Sequence, residues 1–163
     1  MTKPLWTPSA AQVRAANITR FKDQVAKAWG VKLADSDALH SFSIAEPEKF
    51  WTSLKDFAGI AAETWGNRVL VAGDRMPGAK WFPEARLNFA ENLLGRRDSA
   101  DAIAFRGEDK VERRLGFAAL HDRVSVLAQA LKGLGVGPGD RVAGYLPNMP
   151  ETIVAMLAAA SLG

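Results

Sequence analysis

Residues 141–163 read RVAGYLPNMPETIVAMLAAASLG, a short apolar run followed by a longer one. The apolar side chains of residues 141–146 suit a strand in the interior of a sheet. Pro150 suits the first turn of a helix, and residues 151–162 predict a helix that is apolar almost all round. A strand followed by such a helix is the first half of a right-handed crossover, whose second strand returns parallel to the first. The pattern therefore predicts an α/β fold.

The second strand of this crossover is missing from the sequence, which stops at Gly163. Without it, we expect four apolar side chains of the last helix to lack partners: Ile153, Val154, Met156 and Leu157. Burying each is worth about 1.5–3 kcal/mol, which is large against a net stability of about 5–15 kcal/mol. We therefore expect a truncated α/β chain, the front portion of a larger soluble enzyme, which completes no reaction by itself.

The residues just before this stretch predict a hairpin and a helix. Residues 102–106 and 111–115 are strand-like, and the turn between them is residues 107–110. An amphipathic helix follows, with apolar side chains at offsets of three and four: Phe117, Leu120, Val124, Leu127, Leu131 and Leu134. Gly133 and Gly135 are expected to close it, and residues 137–140 to form a turn.

Further towards the N-terminus the sequence is mostly helical. Ser9 is a plausible N-cap of a helix that runs to about Trp29 and is closed by Gly30. A second helix is expected from Glu46-Pro47 to Gly59, and a short one over residues 86–94. Residues 65–83, rich in glycine and proline, are expected to be mostly irregular.

Composition excludes several classes of protein. The 163 residues are 48% hydrophobic with a net charge of +3, so a folded domain with a mild basic excess is expected. The longest basic runs are the pairs Arg96-Arg97 and Arg113-Arg114, which favours solvated surface over a nucleic-acid site. No cysteine is present, which excludes disulfides and thiolate chemistry and is typical of a reducing compartment. No signal-like run opens the chain, and its longest apolar stretch is short of the roughly twenty residues that span a bilayer.

Three patterns suggest chemistry, and each has a plainer interpretation. The glycine cluster of residues 133–140 follows a helix and opens a strand, which is the reverse of a phosphate loop, so we interpret it as a cap and turn. His121 and Asp122 are neighbours on a helix and are predicted to point about 100° apart, so we do not interpret them as a base and its orienting carboxylate. His121 and His40 are expected to be ordinary helix or surface residues, and two distant histidines without cysteine make a transition-metal site improbable.

The acidic and aromatic residues give no clearer site. Seven carboxylates form no pair with evident acid–base geometry and are expected on solvated faces and caps: Glu46, Glu48, Asp56, Glu63, Asp74, Glu84 and Glu91. The dense apolar group of Trp81-Phe82-Pro83 with Leu87, Phe89 and Leu93 suits either a pocket lining or, more simply, a packing anchor.

Several motifs resemble those of a known family. Residues 74–94 read DRMPGAKWFPEARLNFAENLL, which resembles the N-terminal signature of acyl-CoA synthetases related to acetyl-CoA synthetase. The form W-F-x-x-A-x-L-N-x-A-E-N-L is typical of the acetoacetyl-CoA synthetase subfamily, and residues 4–8 and 17–21 look similar to it as well. Residues 115–124, 135–151 and 155–163 resemble the start of the adenylate-forming (AMP-binding) domain, which many adenylating enzymes share.

The resemblance implies an activity for the whole enzyme. Members of the family activate a carboxylate, here acetoacetate, with ATP and Mg²⁺ and transfer the acyl group to coenzyme A. It also implies an N-terminal extension over residues 1–97 and the beginning of an AMP-binding domain over residues 98–163. The phosphate loop and the catalytic residues of the family lie beyond Gly163, so no catalytic, cofactor-binding or metal-binding residue is assigned here. We expect no cofactor bound to this segment, no nucleic acid or membrane partner, and a cytoplasmic location; its main partner is the remainder of the same chain.

Two other interpretations stay open. One is an acetyl- or propionyl-CoA synthetase, since the shared motifs say little about the acid. The other is a self-contained interaction module that uses its apolar C-terminal helix as a partner surface.

Overall fold

The structure is a computed structural model that describes residues 4–108 and 110–163. The chain divides into two compact units, Met1–Ile60 with Trp65–Glu84, and Ala61–Thr64 with Ala85–Gly163. Helices come first along the chain, and strands and further helices follow, which confirms the predicted mixed α/β class. The predicted division at residues 97 and 98 concerns domains of a whole enzyme, and it stays a prediction.

The first helix predicted from the sequence is in fact two helices, α1 (Ala10–Ala15) and α2 (Asn17–Trp29). Their junction is Ala16, which has an extended backbone with ψ 139°. The Val13 carbonyl, which in a continuous helix would accept the Asn17 amide, accepts the Ala16 amide at 3.3 Å and the Thr19 hydroxyl at 2.6 Å. A hydroxyl that competes for a backbone carbonyl favours a helix end. Apolar periodicity alone does not report this competition.

The predicted ends of that helical segment are confirmed. The Ser9 side chain accepts the Gln12 amide while the Gln12 side chain accepts the Ser9 amide, a capping box. Gly30 ends α2 with φ 64°, a left-handed backbone that other residues adopt only with strain.

Two more helices complete the helical part of the first unit. α3 (Ser36–Ala45) was not predicted; it begins where the Asp35 carboxylate accepts the Ala38 amide at 2.8 Å. An aspartate N-cap was the signal for it. α4 (Pro47–Ala58) starts at a proline and ends at Gly59, as predicted.

The core of the first unit is largely aromatic. Phe21, Val25, Leu39 and Phe42 are buried there. The Phe21 ring centroid lies 5.5 Å from that of Phe50 and 5.2 Å from that of Phe57. Residues 65–83 are mostly irregular, as predicted, apart from a two-residue antiparallel ladder between β1 (Leu70–Val71) and β2 (Lys80–Trp81).

The second unit contains the helices and the hairpin that were predicted between residues 86 and 162. They are a short helix, an antiparallel hairpin and two longer helices: α5 (Phe89–Leu93), β3 (Asp101–Gly107), β4 (Val111–Gly116), α6 (Phe117–Gly133) and α7 (Pro150–Ser161). In the predicted turn between the two strands, the Lys110 amide donates to the Gly107 carbonyl at 3.1 Å. Asp109 of that turn lies outside the described residues.

The strand predicted over residues 141–146 is wrong for this structure. These residues are irregular and exposed. A strand exists only where a neighbouring strand accepts and donates its backbone hydrogen bonds. Within the described part of the chain, no other segment pairs with residues 141–146.

One face of α7 is buried, which partly corrects the expectation for this helix. Val154 and Leu157 were expected to lack partners, but they are buried with Ala158 against α5, α6 and β4. Ile153 packs against the same cluster and is partly buried. The expectation holds for Met156, which is 48% exposed.

The two faces of α7 differ in burial, so shortening a side chain on each face should lower the free energy of unfolding by different amounts. Leu157→Ala should lower the free energy of unfolding of the second unit by about 2–5 kcal/mol, because it opens a cavity in a closed core. Met156→Ala, on the open face, should change it by no more than about 0.5 kcal/mol. Amide exchange of α6 and α7 across a urea series measures both. An equal loss in the free energy of unfolding for the two variants would contradict the packing of α7 described above.

Candidate functional site

One concave surface of the second unit is a groove along α7, which we call the α7 groove. It has a volume of about 580 Å³. Its walls are residues 142–146 on one side and the uncovered face of α7 on the other: Val142, Ala143, Gly144, Leu146, Thr152, Ala155, Met156 and Ala159. Seven of these eight residues carry no polar side-chain group, so the groove suits an apolar occupant better than a charged one.

The start of α7 is fixed by polar contacts on both sides. The Thr152 hydroxyl donates to the Pro147 carbonyl at 2.6 Å, which holds the loop before the helix. The Arg113 guanidinium donates to both carboxylate oxygens of Glu151, at 2.6 and 2.9 Å. Because Arg113 belongs to β4 and Glu151 to the first turn of α7, this bidentate pair ties the hairpin to the helix.

Charge and packing both hold this pair in position. The Arg113 guanidinium lies 5.2 Å from the centroid of the Phe105 ring, on the neighbouring strand. The hydrogen bonds from Arg113 lower the pKa of the Glu151 carboxyl below its usual value, and the charge of Arg123 acts in the same direction. The pKa of Arg113 is raised by the same hydrogen bonds. No sequence spacing indicated this pair, since 38 residues separate its members.

The glycine cluster of residues 133–140 forms a cap and a turn, as interpreted. The Gly137 amide donates to the Asp140 carboxylate at 2.9 Å, and the Asp140 amide donates to the Gly137 carbonyl at 3.1 Å. The Gly139 amide donates to the Gly163 carbonyl at 2.8 Å. A phosphate loop presents free amides to its ligand. These three amides already have acceptors in the chain, so the cluster does not fit a nucleotide phosphate.

His121 and Asp122 lie closer together than predicted. The expectation that they point apart is wrong, because Nδ1 of His121 is 3.4 Å from Oδ1 of Asp122. The Asp122 side chain is exposed and is free to turn towards its neighbour. A catalytic triad would also need a nucleophile hydrogen-bonded to the histidine. Ser161 lines the same cleft, but its hydroxyl donates to the Leu157 carbonyl at 2.7 Å.

His40 and the carboxylates form no further site. His40 is exposed on α3. Most of the singled-out carboxylates lie at helix starts or in surface ion pairs, such as Glu84 with Arg68 and Glu63 with Arg86. Among residues 4–108 and 110–163, no group of three histidine, aspartate or glutamate side chains could hold a metal ion. In the same residues, no helix is both long and apolar enough to cross a membrane.

Trp81 and the asparagines around residues 81–93 have structural contacts, whereas Leu87, Phe89 and Leu93 are largely exposed. The Trp81 ring centroid lies 5.4 Å from that of Trp51, within the first unit, and the two rings are tilted by 55°. In the second unit, the Asn88 side chain caps α5 and donates to the Ala160 carbonyl in the last turn of α7 at 2.9 Å. The Asn92 side chain bonds both the amide and the carbonyl of Ala61. Both asparagines belong to the motif of residues 74–94, but these contacts were not predicted from it.

Two family models together match most of the chain. Residues 36–93 match the acetyl-coenzyme A synthetase N-terminus, and residues 93–163 match the AMP-binding enzymes. The chain is similar to the AMP-binding enzymes over residues 93–163. The two matches meet at residue 93, the end of α5, the helix that Asn88 caps, so the motif that contains Asn88 and Asn92 lies where the two matched regions join.

Several curated proteins are similar to this chain along nearly its whole length. The acetoacetyl-coenzyme A synthetase of Rhizobium meliloti (strain 1021) is 49% identical over 161 residues, which are 99% of this chain and 25% of that protein. The acetoacetyl-CoA synthetase of Xenopus tropicalis is 36% identical over 169 residues, 99% of this chain and 24% of that protein. The malonamoyl-CoA synthetase vrtB of Penicillium aethiopicum is 36% identical over 166 residues, which are 98% of this chain and 23% of that protein. The chain thus spans about a quarter of the length of these relatives.

The pair of Arg113 and Glu151 predicts a pH dependence of stability. Because folding lowers the pKa of Glu151, the pair stabilises the fold above the usual carboxyl range, and this stabilisation is lost as the pH falls through the lowered pKa. Glu151→Gln should therefore flatten the decline in the urea midpoint of the second unit below about pH 4.5.

Glu112→Gln serves as the control for this prediction, because Glu112 pairs with Arg106 on the open surface of the same hairpin. It should leave the acid decline as steep as in the unsubstituted chain. Equal flattening by both substitutions would show that the Arg113–Glu151 contact has no special role.

Proposed function

We propose that the chain is the N-terminal part of an acid–thiol ligase that activates acetoacetate with ATP and joins it to coenzyme A. One observation carries this proposal: proteins named acetoacetyl-CoA synthetase are similar to the chain over 98–99% of its residues, at up to 49% identity. The motif of residues 81–93, with its form typical of that subfamily, supports the same substrate.

The proposed reaction has two steps. A carboxylate oxygen of acetoacetate attacks the α-phosphorus of ATP, the bond to the β-phosphate oxygen breaks, and pyrophosphate leaves. The thiol of coenzyme A then loses its proton and attacks the acyl carbon, forming a thioester and releasing AMP. Mg²⁺ accompanies the nucleotide and neutralises phosphate charge in the first step.

We assign no step of this reaction to residues of the described chain. Neither the glycine cluster nor any group of carboxylates there fits phosphate or Mg²⁺. The chain's own contribution is architectural: α6, α7 and the hairpin form a packed platform, and Arg113, Glu151 and Asn88 hold α7 on it. We propose a cytoplasmic location for the enzyme, in keeping with the absence of cysteine from this part of it.

Malonamate is a second candidate substrate besides acetoacetate. The acyl groups of acetoacetyl-CoA and malonamoyl-CoA both have a carbonyl at the 3-position, and acetyl and propionyl groups have none. A malonamoyl-CoA synthetase is 36% identical to the chain, so malonamate is the second candidate. An acetyl- or propionyl-CoA synthetase is less favoured by these comparisons, and so is a self-contained interaction module.

Turnover of the longer protein tests the substrate. We expect kcat/KM on acetoacetate to exceed that on acetate and propionate by at least about tenfold, which corresponds to about 1.4 kcal/mol of discrimination. Pyrophosphate release that requires both the acid and ATP is the measurement. Equal or higher kcat/KM on acetate or propionate would contradict acetoacetate as the substrate, and a preference for malonamate would move the assignment to the second candidate.

A binding measurement tests where the nucleotide site is. The 163-residue chain should show no ATP binding by calorimetry, with or without Mg²⁺, because its loop amides already have acceptors. The longer protein, measured in the same buffer, is the positive control. Micromolar ATP binding to the 163-residue chain would contradict the absence of nucleotide contacts from it.

A further inference from the structure

The N-terminal patch, which we define as residues 4–22, contains α1 and the start of α2 and exposes most of its apolar side chains, apart from the buried Phe21. Among its described residues 10–15, α1 buries none. In the segment before α1, Leu5 is fully exposed and Trp6 is 71% exposed. A helix this short gains little stability from its own hydrogen bonds. The patch therefore presents an apolar surface that the core of the first unit does not use.

Two further apolar side chains of the patch lie close to a basic one. Val13 and Ile18 are 47% and 53% exposed and line a cleft of about 270 Å³ together with Lys22. The Lys22 ammonium makes one hydrogen bond to a backbone carbonyl, and an ammonium has further donors for another acceptor. The acidic residue of this cleft, Asp35, is engaged as the N-cap of α3. The cleft thus combines apolar side chains with a cationic group.

Charge is unevenly distributed along the first unit. Residues 1–22 contain four basic residues and no acidic one: Lys3, Arg14, Arg20 and Lys22. Residues 35–56, which cover α3 and most of α4, contain five acidic residues and two basic ones: Asp35, Asp37, Glu46, Glu48 and Asp56 against Lys49 and Lys55. An anionic partner is therefore attracted to the N-terminal patch and not to the two helices that follow it.

Apolar exposure together with basic charge favours a lipid surface over nucleic acid as the partner. A nucleic acid would use the cations and stack on Trp6, but it gives the aliphatic side chains of the patch no apolar environment. At a membrane surface, tryptophan and aliphatic side chains enter the boundary between headgroups and acyl chains, while lysine and arginine stay with the phosphates. We infer that the N-terminal patch binds the surface of an anionic lipid bilayer, with Leu5 and Trp6 entering this boundary and the basic residues facing lipid phosphates.

This inference departs from the expectation that the chain has no membrane partner. That expectation rested on the lack of an apolar stretch long enough to span a bilayer, and binding to a membrane surface needs no such stretch. Binding of this kind is compatible with the proposed cytoplasmic location, because the cytoplasmic leaflet carries anionic lipids. It does not depend on the proposed reaction.

Vesicle sedimentation of the longer protein tests the inference. The protein should bind vesicles of phosphatidylcholine with about 30% phosphatidylglycerol at least about tenfold more tightly than vesicles of phosphatidylcholine alone, because basic residues near an anionic surface each add attraction. Raising NaCl to about 0.5 M should weaken the binding, because salt screens this attraction. Absence of sedimentation with the anionic vesicles would overturn the inference, and so would equal binding to both kinds of vesicle.

Substitutions separate the apolar contribution from the charge. Trp6→Ser should weaken binding to the anionic vesicles by at least about tenfold, because a large apolar side chain no longer leaves water. Its control is Ile44→Ser, at a position that is 67% exposed on α3 and outside the patch, which should change binding by less than about twofold. Arg14→Gln should weaken binding about fivefold, whereas Lys80→Gln, which removes the same charge from β2, should not. Equal effects of the patch variants and their controls would overturn the inference.

A comparison with RNA identifies the class of partner. A labelled single-stranded RNA of about twenty nucleotides, followed by fluorescence anisotropy, should bind at least about tenfold more weakly than the anionic vesicles at the same phosphate concentration. Tighter binding to the RNA would assign the patch to nucleic acid and overturn the inference. None of these measurements needs turnover, so their failure is distinguishable from failure of the proposed reaction.

Discussion

The packing of α7 on one face is the constraint on which the second unit depends. Val154, Leu157 and Ala158 are buried in one core cluster with Leu115 of the hairpin and with Leu120 and Val124 of α6. Burial on this scale fixes where the helix lies but not how it is rotated or where it starts. Directional contacts do that at each end: Arg113 with Glu151 in the first turn, and Asn88 with Ala160 in the last.

Because directional contacts fix the ends of α7, the motif of residues 74–94, which contains Asn88, has a structural role. Asn88 and Asn92 look like candidates for ligand recognition, because amides both donate and accept hydrogen bonds. In the structure those groups bond the backbone of Ala61 and Ala160 and the amide of Glu91. A family signature therefore need not mark the reacting groups. Here it marks the place where the N-terminal region and the AMP-binding region join.

Much of the fold was predictable because it is decided locally. The caps at Ser9 and Gly30 and the proline at the start of α4 act within a few residues, and each was confirmed. The break at Ala16 has no signal in apolar periodicity, because it involves the Thr19 hydroxyl, and the start of α3 is indicated only by the single aspartate cap at Asp35. The contact between Arg113 and Glu151 depends on the tertiary fold and has no signal in spacing. The absence of a site on this chain was expected from the sequence and stays a prediction.

The strand over residues 141–146 was predicted from side chains alone. The failure of this prediction has a general cause. A helix satisfies its backbone within itself, so α7 forms as soon as one face finds a core. A strand requires a partner, and its apolar pattern describes an environment that other residues must create. The segment therefore has the composition of an interior strand and the exposure of a loop. The same asymmetry accounts for the groove, since one face of the self-sufficient helix is packed in the core while the wall beside it pairs with no strand among the described residues.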